Sequence, residues 1–105
     1  MSRIDKLTEW LTATPNDCFL MHALGLEYAK LEDIKSAIEW FEKVIATDAN
    51  YVGTYYHLGK MYELQQQNSE AIAIYKKGIA LSTLLKDNHA RNELQMALDD
   101  LIDEY

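Results

Sequence analysis

The feature that most limits what this chain can fold into is its self-similarity at a spacing of 34 residues. Displaced by that interval, Leu24-Gly25 falls on Leu58-Gly59, Tyr28 on Tyr62, Ala37-Ile38 on Ala71-Ile72, Lys43 on Lys77, and Ile45-Ala46 on Ile79-Ala80. Phe41 meets Tyr75 and Met21 meets Tyr55, a large side chain for a large side chain. Carried backwards, Ile4, Leu7, Leu11 and Asn16 fall on Ile38, Phe41, Ile45 and Asn50, so Ile4–Ile38–Ile72 and Leu7–Phe41–Tyr75 are series of three. Units repeated in this way bury their apolar faces on one another, and the fold must be a stack of them.

Each unit reads as two helices. Met21, Leu24, Tyr28 and Leu31 stand three or four apart between Cys18 and Leu31, and Ile38, Phe41 and Ile45, with Ala37 and Val44, do so between Lys35 and Ala46. Glu32-Asp33 makes the turn between them, and Gln66-Gln67-Asn68 is its counterpart. Gly25 and Gly59 lie inside helices, where glycine costs about 0.5–1 kcal/mol relative to alanine. A glycine repeated at that cost implies close approach, with Ala37 and Ala71 opposite and Tyr28 and Phe41 beside it. One Pro and four Gly in 105 residues are too few turn formers for a sandwich or barrel, and 49% hydrophobic content suffices for a helical core.

Met21-x2-Leu24-Gly25-x2-Tyr28 followed by Ala37-x3-Phe41, and Tyr55-x2-Leu58-Gly59-x2-Tyr62 followed by Ala71-x3-Tyr75, resemble the tetratricopeptide repeat (TPR), whose unit has 34 residues. The resemblance implies an all-α, right-handed helical-hairpin solenoid of about six helices. It organises residues 1–105 as one domain: an N-terminal half-repeat helix over 1–17, repeats over 18–51 and 52–85, and a capping helix over 86–105. Pro15 keeps the proline that the family places between repeats, whereas Ala49 and Thr83 replace it, and Gly78 stands where alanine is usual. In the half-repeat Ile4, Leu7, Trp10 and Leu11 face inward. In the cap, with Asp87 or Asn88 as its N-cap, Leu94, Leu98, Leu101 and Tyr105 share a face flanked by Ala97 and Ile102. The remaining positions are mostly acidic, and Asp99-Asp100 and Asp103-Glu104 read as a solvated surface.

Composition narrows the chemistry. Seventeen acidic against ten basic residues give a net charge of -7, which disfavours nucleic acid and anionic membrane surfaces as partners. The N-terminus lacks a signal-peptide apolar region and no apolar run is long enough to span a bilayer, so a cytoplasmic protein is expected. The lone Cys18 reads as a small, partly buried apolar residue. His22, His57 and His89 fall on three first-type helices without a fixed carboxylate partner, and read as surface or groove residues rather than metal ligands. No phosphate loop, catalytic triad or paired-carboxylate motif is present. No cofactor and no enzymatic activity are therefore expected.

In a TPR-like stack the first helices of successive repeats line a concave groove. The resemblance thus implies a protein-binding module whose first repeat offers Phe19, His22, Leu26, Ala29 and Lys30, and whose second offers Gly53, Tyr56, Lys60, Glu63 and Leu64. With two inserted residues, the last helix adds His89, Asn92, Met96 and Asp99. The peptide-binding set is Phe19, His22, Leu26, Lys30, Tyr56, Lys60 and Glu63, and the expected partner is a moderately basic or amphipathic segment. The Lys, Asn and Arg clamp with which some TPR domains hold a chaperone's C-terminal carboxylate is not reproduced. The alternative function is structural: a homodimer formed through the solenoid ends or the groove.

Overall fold

A computed structural model describes residues 1–104, which form six α-helices: α1 (Arg3–Ala13), α2 (Cys18–Lys30), α3 (Ile34–Thr47), α4 (Gly53–Leu64), α5 (Asn68–Leu84) and α6 (Asn88–Glu104). There is no strand among the described residues. The fold is an all-α helical repeat, and the chain divides into two compact units, Met1–Tyr51 and Val52–Tyr105.

In the first unit α1 and α3 both pack on α2. This explains why α2 buries Leu20, Met21, Ala23, Leu24 and Gly25 over a wide arc. Leu7 and Leu11 join that core from α1 and Val44 joins it from α3, with Ile4, Trp40 and Tyr51 partly buried around it. Trp10 departs from expectation: it is 54% exposed. The buried stripe of α1 is Leu7 and Leu11 alone, four residues apart, and Trp10 falls off that line. Cys18 is partly buried, its Sγ 3.9 Å from the Val44 carbonyl oxygen.

In the second unit α5 packs against both α4 and α6, and α6 also touches α4. The cap buries Leu94, Ala97, Leu98 and Leu101, while Ile102 is exposed. The expected role of Tyr105 lies outside the described residues. Asp87 is the N-capping side chain, accepting from the Ala90 amide at 3.0 Å.

Three turns share one construction, in which a non-glycine residue takes the left-handed conformation: Glu32 (φ 61°), Gln66 (φ 59°) and Lys86 (φ 60°). Around Glu32, the Asp33 amide donates to the Tyr28 carbonyl at 3.0 Å and the Glu32 amide to the Ala29 carbonyl at 3.0 Å. This is a Schellman closure, and it satisfies carbonyls that the helix end would leave bare. Gln67 to Tyr62 with Gln66 to Glu63 repeats it, as does Asp87 to Ser82 with Lys86 to Thr83. In two cases the next residue caps the following helix: the side chain of Asp33 accepts from Ser36, and that of Asp87 from Ala90. The α5–α6 link is thus built like the turn inside a repeat.

The glycines do what their repetition implied, with one refinement. A Cβ on Gly25 would sit within the van der Waals envelope of the Phe41 ring, and one on Gly59 within that of Tyr75. The aromatic ring of the second helix itself lies on the glycine; it does not merely fill space beside an alanine. Gly78 is confined in the same way, a Cβ there lying 2.8 Å from Leu94 Cδ1 and 2.9 Å from Tyr55 Cβ. Alanine, usual in the family at this position, has no room.

Candidate functional site

On the first unit, α2 turns Phe19 to solvent at 65% exposure and leaves His22, Leu26 and Ala29 half-buried. The His22 ring lies 5.5 Å from Phe41 and 5.7 Å from Tyr51, so it is held by aromatic neighbours. Lys30 Nζ is 3.0 Å from Glu27 Oε2, and Arg3 Nε approaches the same carboxylate at 3.5 Å. Lys30 is thereby drawn towards an intrahelical partner. Burial raises the pKa of the Cys18 thiol, and Asp48 and Asp17 add to the effect, opposite to what a nucleophile requires.

On the second unit, α4 and α6 form a small open cleft lined by Tyr56, Lys60, Glu93, Met96, Ala97 and Asp100. Two of the sequence-derived residues, Tyr56 and Lys60, line it. Lys60 Nζ sits 5.6 Å from the centre of the Tyr56 ring and 3.7 Å from Glu63 Oε2. Glu63 does not line the cleft, and it also accepts a hydrogen bond from the Tyr75 hydroxyl. Burial raises the Tyr75 pKa, and the bond to Glu63 adds to it, so the phenol stays protonated and donating.

The two repeats differ here in a coordinated way. Tyr56, Lys60, Glu63 and Tyr75 occupy the positions of His22, Leu26, Ala29 and Phe41 one period earlier. Ala29 with Phe41 is an apolar pair, and Glu63 with Tyr75 is a hydrogen-bonded one. At Leu26/Lys60 and Ala29/Glu63 an apolar residue on the first unit is exchanged for a charged one on the second, and at Lys30/Leu64 the exchange runs the other way.

On the α6 wall, Met96 was expected, but His89, Asn92 and Asp99 are replaced by Glu93, Ala97 and Asp100. α6 follows a three-residue turn and packs with Leu94, Ala97, Leu98 and Leu101 inward. Residues 93, 96, 97 and 100 then follow the edge of that buried stripe. Asp100, expected on a purely solvated face, thus borders the cleft.

His57, adjacent to Tyr56, meets its ring edge-on at 5.5 Å. Burial lowers the imidazole pKa, and the nearby Glu93 opposes the shift. Among the described residues, no three His, Cys, Asp or Glu side chains cluster as metal ligands, and no helix is long and apolar enough to cross a membrane.

A module of short-linked helical hairpins, with a side-chain-lined face on its first helices, is the class these features define. Residues 25–66 match the family described as TPR repeat, and residues 52–83 match tetratricopeptide repeat. A tetratricopeptide repeat domain protein from Salinibacter ruber is 37% identical, covering 83% of this chain and 97% of its own, with a TM-score of 0.79. A protein from Bordetella parapertussis is 24% identical over 99% of this chain and 90% of its own, with a TM-score of 0.86. The TPR2B domain of yeast Sti1, in a pHsp70 complex, has a TM-score of 0.90 at 17% identity, covering 97% of this chain and 82% of its own. No curated protein matches. The chain belongs to the tetratricopeptide repeat family, whose members are generally non-catalytic protein-interaction modules.

Proposed function

We propose that this chain is a non-catalytic adaptor that captures a moderately basic or amphipathic segment of a partner protein on the faces of its first-type helices. The α4–α6 cleft carries the reading: an open, partly aromatic recess whose only lining cation, Lys60, is already paired with Glu63. That the TPR2B domain of Sti1 shares this fold and forms a pHsp70 complex supports a protein-derived ligand. Phe19, Leu26 and Tyr56 supply apolar and aromatic area for affinity, while His22, Lys60 and Glu63 set register. Lys30, paired with Glu27, contributes at the rim.

The test is a pull-down with the wild type and with Leu26→Asp combined with Tyr56→Ala, both half-buried positions rather than core ones. Loss of specific partners with helicity retained is expected. An unchanged partner set overturns the reading. A concentration-dependent mass in light scattering, abolished by the same substitutions, would replace it with self-association into a homodimer.

A further inference from the structure

The α6 wall of the cleft has a repeat of its own. Glu93 and Asp100 are two helical turns apart, about 10 Å along the axis, and Met96 and Ala97 stand between them on the same edge. Among the described residues neither carboxylate forms a salt bridge, whereas Lys60 on the opposite wall is engaged by Glu63. The cleft therefore offers two carboxylates outside any salt bridge, Glu93 with the His57 imidazole nearby, separated by an apolar step, and Met96 is 67% exposed.

We propose that the occupant of this cleft is an amphipathic α-helix of the partner that presents basic residues at i and i+7 with an apolar residue at i+3 or i+4. Charge complementarity and spacing argue for it together. A helix places i and i+7 on one face about 10 Å apart, matching Glu93 and Asp100. An extended strand covers that distance in three residues, but i and i+3 then point to opposite sides. The apolar residue between the cations meets Met96 and the Tyr56 ring, while the cations meet the carboxylates. This inference rests on the adaptor reading and specifies the partner at one of its faces.

Fluorescence anisotropy with side-chain-stapled helical peptides tests it. One peptide carries Arg at i and i+7 with Leu at i+3 and i+4; a second has the same composition with the distal Arg moved to i+5. A third replaces both Arg by Glu. Wild-type protein is expected to bind the first about two- to fivefold more tightly than the second, the loss of one exposed charge pair at roughly half to one kcal/mol. Glu93→Gln with Asp100→Asn should erase that preference, and Glu93→Arg with Asp100→Arg should transfer it to the Glu peptide. Both positions are exposed, and circular dichroism checks that the variants fold. Equal binding of the first two peptides, a preference that survives neutralisation, or no binding of any peptide overturns the proposal. The adaptor reading fails separately, through an unchanged partner set in the pull-down.

Discussion

Gly59 shows how little freedom single positions have. Its missing side chain leaves the space that the buried Tyr75 ring fills, and Tyr75 in turn holds Glu63 beside Lys60. Gly59→Ala must displace a ring with no exposed surface, and is expected to destabilise the fold by about 1–3 kcal/mol. Gly53→Ala is the matched control: nothing lies within 4 Å of its added Cβ, and the better helix propensity should raise stability by up to about 1 kcal/mol. Denaturant unfolding of the two variants reads both signs, and a neutral Gly59→Ala would contradict the packing described. The need for glycine at positions 25 and 59 was legible in the sequence, because a costly residue recurred at the family's period. The aromatic ring as the neighbour that demands it was not legible, since periodicity places residues on faces without saying which side chain covers which.

At the scale of elements, helix positions followed from apolar spacing and their ends from turn chemistry. The apolar period called for helices near 18–31 and 35–46, and Asp17 and Asp33 cap them as short acceptors should. Less visible were the Schellman turns at Glu32, Gln66 and Lys86, where glycine is the usual residue. Gln66→Gly removes a left-handed cost of about 1–2 kcal/mol and adds back unfolded-state entropy of about 0.5–1 kcal/mol. A net gain of about 0.5–1 kcal/mol in thermal or chemical unfolding is expected, and a loss would show that the Gln66 side chain contributes contacts. The same turn construction joins α5 to α6. Tyr56 and Lys60, drawn from the repeat pattern, line the cleft, whereas Glu93 and Asp100 lie beyond the last full repeat, where the pattern marks no position for them. The packing of α4 against α6 also carries a pH signature. Burial holds the folded His57 pKa below its ordinary value near 6.5, so the unfolded chain binds that proton more readily. The His57 contribution is whole above about pH 6.5 and is lost as pH falls below it towards the folded pKa. Urea titrations between about pH 7 and 5.5 should show stability falling with pH, with a shallower slope in His57→Gln. An identical slope in that variant would remove His57 as the source.

The molecule as a whole carries its negative charge unevenly in function, if not in count. A net charge of -7 read from composition is a general statement about repulsion from polyanions. Two of those charges, Glu93 and Asp100, gain a specific meaning by lining a cleft whose one cation is already paired. The α2 and α4 faces, one repeat period apart, carry charge at different positions, Lys30 on one and Lys60 with Glu63 on the other. Partner capture through these faces is the central claim, and site-resolved photo-crosslinking tests it most directly. A benzophenone amino acid placed at Phe19, Tyr56 or Met96, and at the exposed outer positions Lys35 or Lys76, is irradiated with cell extract. Mass spectrometry then identifies the proteins attached at each position. The account predicts one partner set joined from 19, 56 and 96 and absent from 35 and 76. The same proteins attached equally from the outer positions, or from those positions alone, would contradict it.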